Sequence, residues 1–286
     1  QAFARKHGIA HVAQSCEDAL QHCKIDCAHI LVPPSLHAEV AKEWVRAGCS
    51  VLIEKPVVER AGQYEALEVL AKERNAVIGV NQNFVHHPAY QRLKRDVDQG
   101  HIGPLHTVSM VFSMPLRQLD SGQLGHWMFQ KPGNILLEQA VHPLSQLQDL
   151  LGPLKVESVT VGQGDIISPG TPFFRHWTIV LSAGQIGVVL HFAVGESFPV
   201  FQINAMGSDG SVTADMVRNC GSSLRRSRWP DPFDFALSVS RYAKQLGKEA
   251  RRGFYHYVQS QLRLRTRSDA FFLSMKDSVS SFHNAL

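Results

Sequence analysis

The chain has 286 residues, of which 44% are hydrophobic and 19% are charged, and 29 basic against 25 acidic residues give a net charge of +4. This length suits one large or two ordinary globular domains, and the composition excludes a disordered or fibrous chain. No apolar run reaches the ~18 residues that a membrane-spanning helix needs. The five cysteines form no C-x-x-C pair, so we expect a reduced, cytoplasmic protein.

Short apolar runs alternate with helical patterns through the first 100 residues. Strands are predicted at 27–33, 50–54 and 76–82, and helices at 35–48, 61–75 and 87–100. Strands that alternate with helices of this length indicate βαβ units and a parallel sheet. Their continuous apolar character is typical of a sheet covered on both faces.

After Gly103 and Pro104 the pattern changes to a run of strands. Strands are predicted at 105–112, 154–163, 173–182, 186–195 and 198–207, with helical patterns around 135–151 and over 233–286. A run of strands favours an antiparallel sheet. We therefore predict a parallel α/β domain over 1–103 and an α+β domain with a mostly antiparallel sheet over 104–286.

Three predicted strands end in residues that stop regular pairing. The strand ends are Val32-Pro33-Pro34, Glu54-Lys55-Pro56 and Asn81-Gln82-Asn83. Ligands of open parallel sheets bind outside the carboxyl ends of the strands, so these residues are predicted to border one crevice. There the Lys55 ammonium can donate hydrogen bonds to a substrate oxygen and stabilise charge on it. A plain surface lysine after an edge strand is the equally weighted alternative.

A second candidate pair is Glu138 and His142, four residues apart in the predicted helix 135–151. At that spacing they share one helix face, and a carboxylate there would orient the imidazole. Pro143 lacks a backbone donor, so we expect the helix to kink or restart beside His142. On spacing alone, a solvent-facing polar stripe is the favoured alternative. A histidine base and a lysine around one hydroxyl suit alcohol oxidation, which needs a nicotinamide to accept the hydride.

Several weaker features are interpreted mainly as structural. Trp127 is either a stacking surface for a sugar ring or a packing residue, and packing is slightly favoured. His86 and His87 have no companion ligands at metal spacing, so a loop or helix-start role is favoured and no metal site is predicted. The surplus of basic residues after Arg225 is interpreted as a solvated helix face rather than an anion-binding patch. No nucleic-acid-binding signature is present.

In the motifs that contain these residues, the chain resembles the Gfo/Idh/MocA oxidoreductases. "EKP" at 54–56 follows an apolar strand as that family's motif does, "LVPPSLHAEVAKEWVRAG" is similar to its TP-N-xx-H segment, and "NILLEQAVHPLSQLQDLLG" is similar to its G-G-x-L-x-D-xxx-H segment. The order and spacing agree from about residue 2 to residue 210.

The resemblance implies a Rossmann domain followed by a domain with a large open sheet. It implies NAD or NADP as cofactor and a sugar, cyclitol or nucleotide-sugar as substrate. Lys55, His142 and Glu138 would be catalytic, and Trp127 would join them in contacting the substrate. The Lys55–Pro56 peptide bond is expected to be cis, and an exposed sheet face implies a homodimer or homotetramer. The residues implied in cofactor binding are Val32, Pro33, His37, Glu54, Lys55, Pro56 and Asn81.

Three departures from the family pattern stand out. Glu138 replaces an aspartate, and Val32 and Pro34 replace a threonine and an asparagine. The G-x-G-x-x-G turn that would hold the pyrophosphate has no match in this sequence, so we expect a fragment or an N-terminally truncated chain. The competing hypotheses are a dehydrogenase, a reductase that uses the same groups in the opposite direction, and a non-catalytic binding or regulatory protein.

Overall fold

A computed structural model describes residues 2–168, 171–227, 229–264, 266–267 and 269–286. By its internal contacts the chain divides into two compact units. The first contains the residues up to Gln82 together with Ser278–Leu286, and the second is Asn83–Asp277. This division places residues 83–103 with the second unit. The domain boundary at residues 103 and 104 stays a prediction.

The first unit is built on a three-stranded parallel sheet in the order β1-β2-β3. Its elements are α1 (Ala2–His7), α2 (Cys16–His22), β1 (Cys27–Ile30), α3 (Pro34–Arg46), β2 (Ser50–Ile53), α4 (Ala61–Arg74) and β3 (Ile78–Val80). The central strand β2 is buried along its whole length, as its apolar sequence predicts. Helix α3 starts with Pro34 in its first turn and ends before Gly48, whose φ of +84° suits glycine after a helix.

The end of the last helix, α9 (Ala270–Asn284), belongs to the first unit from Ser278 onward. Ser278 Oγ donates to Asn81 Oδ1 at 2.7 Å. The Phe282 ring, 6% exposed, lies so close to Gly79 in β3 that a Cβ there would meet Phe282 Cδ2 at 2.5 Å. Helix α9 can therefore pack this closely on β3 only because residue 79 has no side chain.

The second unit is built on a seven-stranded sheet in the order β12-β11-β10-β4-β9-β8-β5. β4 and β9 pair in parallel and the other neighbours are antiparallel. A separate hairpin joins β6 and β7. The elements are α5 (Pro88–Asp98), β4 (Leu105–Met114), α6 (Arg117–Asp120), α7 (Val141–Leu151), β5 (Lys155–Val161), β6 (Gly164–Ser168), β7 (Thr171–Phe174), β8 (His176–Ala183), β9 (Ile186–Val194), β10 (Val200–Gly207), β11 (Gly210–Asp215), β12 (Cys220–Arg225) and α8 (Asp231–Gln261).

One face of this sheet forms the larger apolar core. Phe201, Phe112 and Phe192 are cross-strand partners on β10, β4 and β9. The rings of Phe112 and Phe192 stack at 5.4 Å, and Phe201 meets Phe112 edge-on at 4.9 Å. Tyr90 of α5 donates its hydroxyl to the Gln146 carbonyl of α7 at 2.9 Å. Buried aromatic pairs and a satisfied buried hydroxyl fix α7 relative to this core.

The mixed α/β fold confirms the predicted fold class, with a parallel sheet followed by a large, mostly antiparallel one. The predicted strands overlap β1, β2, β3, β4, β5, β8, β9 and β10, and each prediction errs by a few residues at its ends. The predicted strand at 173–182 merges the end of β7 with β8, and the strands missed in the sequence are β6, β11 and β12. None of the described helices is long and apolar enough to cross a membrane.

Replacing Gly79 by alanine tests the packing of α9 on β3. We expect the free energy of unfolding to fall by about 1–3 kcal/mol, because the new methyl group overlaps the Phe282 ring. Urea denaturation measures the change. The matched control is Gly62→Ala in α4, where a Cβ meets nothing within 4 Å and stability should hold or rise by up to about 1 kcal/mol. Equal losses in both variants would contradict this packing.

Candidate active site

The carboxyl ends of the three parallel strands bring two predicted site residues into contact. The Glu54 backbone N–H donates to Ile30 O at 3.1 Å and the Asn81 N–H donates to Ile53 O at 2.8 Å, so the pairing continues past the strand ends. The Asn81 side-chain amide then donates to Glu54 Oε1 at 2.7 Å. Adjacent parallel strands therefore place Glu54 and Asn81 side by side at one edge of the sheet.

His37 connects two of these strand ends through their backbones. Its side chain is 1% exposed, with Nε2 at 2.8 Å from Val32 O and Nδ1 at 2.8 Å from Pro56 O. A neutral imidazole donates through one nitrogen, and a protonated one donates through both. The implied role of His37 in cofactor binding is therefore indirect in this geometry: the ring holds the backbone on which Val32 and Pro56 lie.

Lys55 lies between Glu54, whose backbone pairs with Ile30, and Pro56, whose carbonyl oxygen contacts His37. The residue is half-buried, Pro56 is buried, and Pro33 is exposed. The Lys55–Pro56 peptide bond is cis, as the resemblance implies. The Gln82 side-chain oxygen, directly after Asn81, is buried and has no hydrogen-bond partner within the described part of the chain. A buried acceptor of this kind is a place for a ligand donor.

Glu138 and His142 lie in the second unit on one stretch of helical backbone. Residues Leu136–Ala140 form a π-helical segment, and α7 follows directly. Single π turns are frequent at functional sites. Pro143 is the third residue of α7, which continues the helical backbone from the π-helical segment without a break. The irregularity expected beside His142 is therefore a change from π-helical to α-helical pairing rather than a restart of the helix.

Apolar packing holds the His142 imidazole in place. The side chain is 8% exposed, and the Phe84 ring meets it edge-on with centroids 4.8 Å apart. Gln146 of α7 donates its side-chain amide to Phe84 O at 2.7 Å, which ties Phe84 to the same helix. Glu138 is half-buried. Phe84 was missed in the sequence because an apolar residue after a strand gives no sign of which side chain it supports.

Trp127 and the two neighbouring histidines take different positions. Trp127 is half-buried, while Met128 and Phe129 beside it are in the core, so its ring keeps an exposed part. His87 caps α5 by accepting from the Ala89 N–H at 3.2 Å. Burial lowers the pKa of His87 to about 4. The favoured helix-start role of this residue agrees with the structure.

The predicted residues thus form two groups, each described within its own unit. The first unit contains Glu54, Lys55, Pro56, Asn81, Val32 and His37 at one sheet edge. The second contains Glu138, His142 and Trp127. In the sequence, Gln82 was identified only as part of the strand end Asn81-Gln82-Asn83. Its position directly after Asn81 is the sequence feature that could have marked it as a candidate site residue.

Comparison with known proteins identifies the family. A model described as the oxidoreductase family with an NAD-binding Rossmann fold matches residues 1–82, and one described as the GFO/IDH/MocA C-terminal domain matches residues 90–213. The chain belongs to the Gfo/Idh/MocA oxidoreductase family. The family's first domain binds NAD, in agreement with the predicted cofactor.

Relatives of this chain in the family include named sugar reductases. The chain is 36% identical over 152 residues, 53% of its length and 43% of the relative's, to a dTDP-3,4-didehydro-2,6-dideoxy-alpha-D-glucose 3-reductase of Streptomyces violaceoruber. It is 24% identical over 163 residues, 56% of its length and 48% of the relative's, to a 1,5-anhydro-D-fructose reductase of Ensifer adhaerens. The chain spans about half the length of the curated relatives that it matches.

Solved structures share the fold. A levoglucosan dehydrogenase in complex with NADH and levoglucosan is similar with a TM-score of 0.69 and 18% identity, covering 80% of this chain and 64% of the other. A putative NADPH-dependent oxidoreductase from Desulfitobacterium hafniense has a TM-score of 0.64 and 24% identity, covering 75% of this chain and 61% of the other. At these identities the likeness concerns the fold.

Replacing His37 by alanine tests its role in holding the strand ends. We expect the free energy of unfolding to fall by about 1–3 kcal/mol, because the Val32 and Pro56 carbonyl groups lose the buried imidazole that lies within hydrogen-bond distance of both. His22→Ala is the matched control, since this exposed histidine pairs only with Asp18 at a distance of 3.3 Å among its described ion pairs and should contribute less than about 1 kcal/mol. Thermal or urea denaturation measures both. A His37→Ala variant as stable as the control would contradict the assignment.

Proposed function

We propose that this chain transfers hydride between NAD or NADP and a secondary hydroxyl, or the matching carbonyl, of a sugar, cyclitol or nucleotide-sugar. The observation that carries the proposal is the sheet edge where Glu54, Lys55 and the cis Pro56 follow a fully buried strand, in a chain of an NAD-binding family. The substrate class is supported by relatives whose names give a dTDP-linked sugar and an anhydro sugar as substrates.

The residues at this edge suit the nicotinamide end of the cofactor. Gln82 offers a buried, unsatisfied oxygen, which matches an amide N–H donor such as that of a carboxamide. When bound, the nicotinamide supplies the hydride acceptor or donor that no side chain provides. No residue is assigned to the pyrophosphate, because the sequence contains no G-x-G-x-x-G turn. The residues proposed to surround the nicotinamide end, directly or through their backbone, are Val32, Pro33, His37, Glu54, Lys55, Pro56 and Asn81.

Lys55 is proposed to hold the reacting oxygen of the substrate. Its ammonium donates a hydrogen bond to that oxygen and stabilises negative charge as it develops, which is worth more at a half-buried position than in water. The flanking backbone is fixed by His37 on Pro56 O and by strand pairing at Glu54. A rigid backbone keeps the ammonium within reach of the substrate without reorganisation.

His142 is proposed as the acid/base. In the oxidation direction its imidazole takes the hydroxyl proton, and in the reduction direction it returns that proton to the carbonyl oxygen. Contact with Phe84 limits rotation of the ring. Glu138, one turn earlier, would stabilise the imidazolium that forms, and the exposed part of Trp127 would stack on the substrate ring. The same groups serve both directions, so a reductase role falls within the proposal.

Turnover of substituted proteins tests these roles. Oxidation of a panel of sugars, cyclitols and nucleotide-linked sugars with NAD or NADP is followed through the absorbance of the reduced nicotinamide. Lys55→Ala and His142→Ala should each lower kcat by about 10²–10⁴-fold, because each removes a group that acts in the transition state. His142→Ala should also remove the fall in the oxidation rate toward acid pH that protonation of a general base causes.

Lys72→Ala on α4 and His22→Ala on α2 are the matched controls and should keep full activity. Lys72 is an exposed lysine that pairs with Glu68 at 3.4 Å. Near-normal turnover in Lys55→Ala or His142→Ala would overturn the role given to that residue. Nucleotide binding without turnover on any member of the panel would favour the alternative of a binding or regulatory protein. Homo-oligomerisation and a cytoplasmic location stay predictions.

A further inference from the structure

One face of strand β1 carries two metal-binding side chains. Cys27 and His29 are two residues apart, so their side chains point to the same side of the sheet. Ile30 and Ala28, on the alternate positions, pack into the apolar core of the first unit. Cys27 is half-buried and His29 is exposed, which leaves this pair outside that core.

The end of α9 brings a third such side chain to the same face. Ser278 and Phe282 fix the helix against β3 through Asn81 and Gly79. His283 Nε2 then lies 3.1 Å from His29 Nε2, and His283 Nδ1 lies 4.0 Å from Cys27 Sγ. One ligand atom from each residue can be chosen so that all three lie within 4.8 Å of one another.

The chemistry of the three groups is that of a transition-metal site. A histidine binds a metal through a neutral ring nitrogen and a cysteine binds it as the thiolate, which a bound cation stabilises. Two imidazole nitrogens and one thiolate are ligands that zinc prefers.

We propose that Cys27, His29 and His283 bind one zinc ion, with solvent in the fourth position. Tetrahedral zinc with Zn–N near 2.0–2.1 Å and Zn–S near 2.3 Å places its ligand atoms about 3.3–3.6 Å apart. The 3.1 Å between His29 Nε2 and His283 Nε2 is already close to that value. Side-chain rotations that move the ligand atoms by about 1 Å bring the Cys27 sulfur from within 4.8 Å to the distance that zinc needs.

This site is independent of the proposed hydride transfer, because its side chains take no part in the proposed chemistry. The zinc site would join strand β1 to helix α9, since His29 and His283 are 254 positions apart in the sequence. Zinc that binds only the folded unit stabilises it by RT ln(1 + [Zn²⁺]/Kd), so the stabilisation grows with the free zinc concentration. The role inferred for the metal is therefore structural, and the open ligand position leaves the site exchangeable.

Cobalt substitution tests the proposal directly. The purified metal-free protein is titrated with Co²⁺ and then with Zn²⁺, while absorption is followed in the near ultraviolet and visible. We expect one Co²⁺ per chain, a thiolate-to-cobalt charge-transfer band, visible bands of tetrahedral cobalt, and loss of all of them on addition of one equivalent of Zn²⁺. Cys27→Ser should abolish the charge-transfer band. His29→Gln and His283→Gln should each weaken binding at least tenfold.

Matched controls separate this site from adventitious binding. Cys23→Ser removes an exposed thiol of the same unit, and His22→Asn removes one member of a second close histidine pair, His11 and His22, whose rings stack at 5.8 Å. Both variants should keep the band and the affinity, and circular dichroism checks that each variant is folded. No charge-transfer band in the unsubstituted protein, or a band that survives Cys27→Ser, would overturn the proposal.

Discussion

The parallel pairing of three short strands is the constraint on which the candidate site depends. Because β1, β2 and β3 run in the same direction and in register, the residues that follow them meet at one edge of the sheet. The apolar strand β2 is buried on both faces, so its register is fixed by packing rather than by the polar residues that come after it. Glu54, Lys55 and Asn81 therefore occupy positions that the hydrophobic core sets, which is how a site becomes preorganised without a large number of polar contacts.

Within each unit, contacts beside the candidate residues hold backbone rather than substrate. His37 uses both ring nitrogens on main-chain oxygens, and Gln146 uses its amide on the carbonyl of Phe84. The π-helical segment at Leu136–Ala140 widens the turn just before His142. The π-helical segment departs from regular helix directly before a residue proposed to act on substrate. Departures from regular structure at such places are what a functional site is expected to show.

Much of this organisation could be predicted from the sequence, since β2 and β3 are apolar runs and their polar ends lie next to them in the chain. Lys55 was identified from its strand end, and Glu138 with His142 from their spacing. By contrast, β11 and β12 were missed because small and polar residues dominate them, as in "GSVTAD" and "CGSSLR". The packing of Phe84 on His142 and the meeting of Cys27, His29 and His283 depend on long-range contacts. Local sequence patterns do not show which distant residues meet, so sequence spacing could not reveal this cluster of three side chains.

The central claim is that the sheet edge around Lys55 holds the nicotinamide of the cofactor. The most direct test is a titration of the folded protein with NADH and with NADPH, followed through nicotinamide fluorescence, with the His37→Ala and Lys55→Ala variants beside it. The account predicts saturable binding of one nucleotide per chain and weaker binding in His37→Ala, whose strand ends are released. Absence of binding for both nucleotides by protein that circular dichroism shows to be folded, or unchanged affinity in both variants, would contradict it.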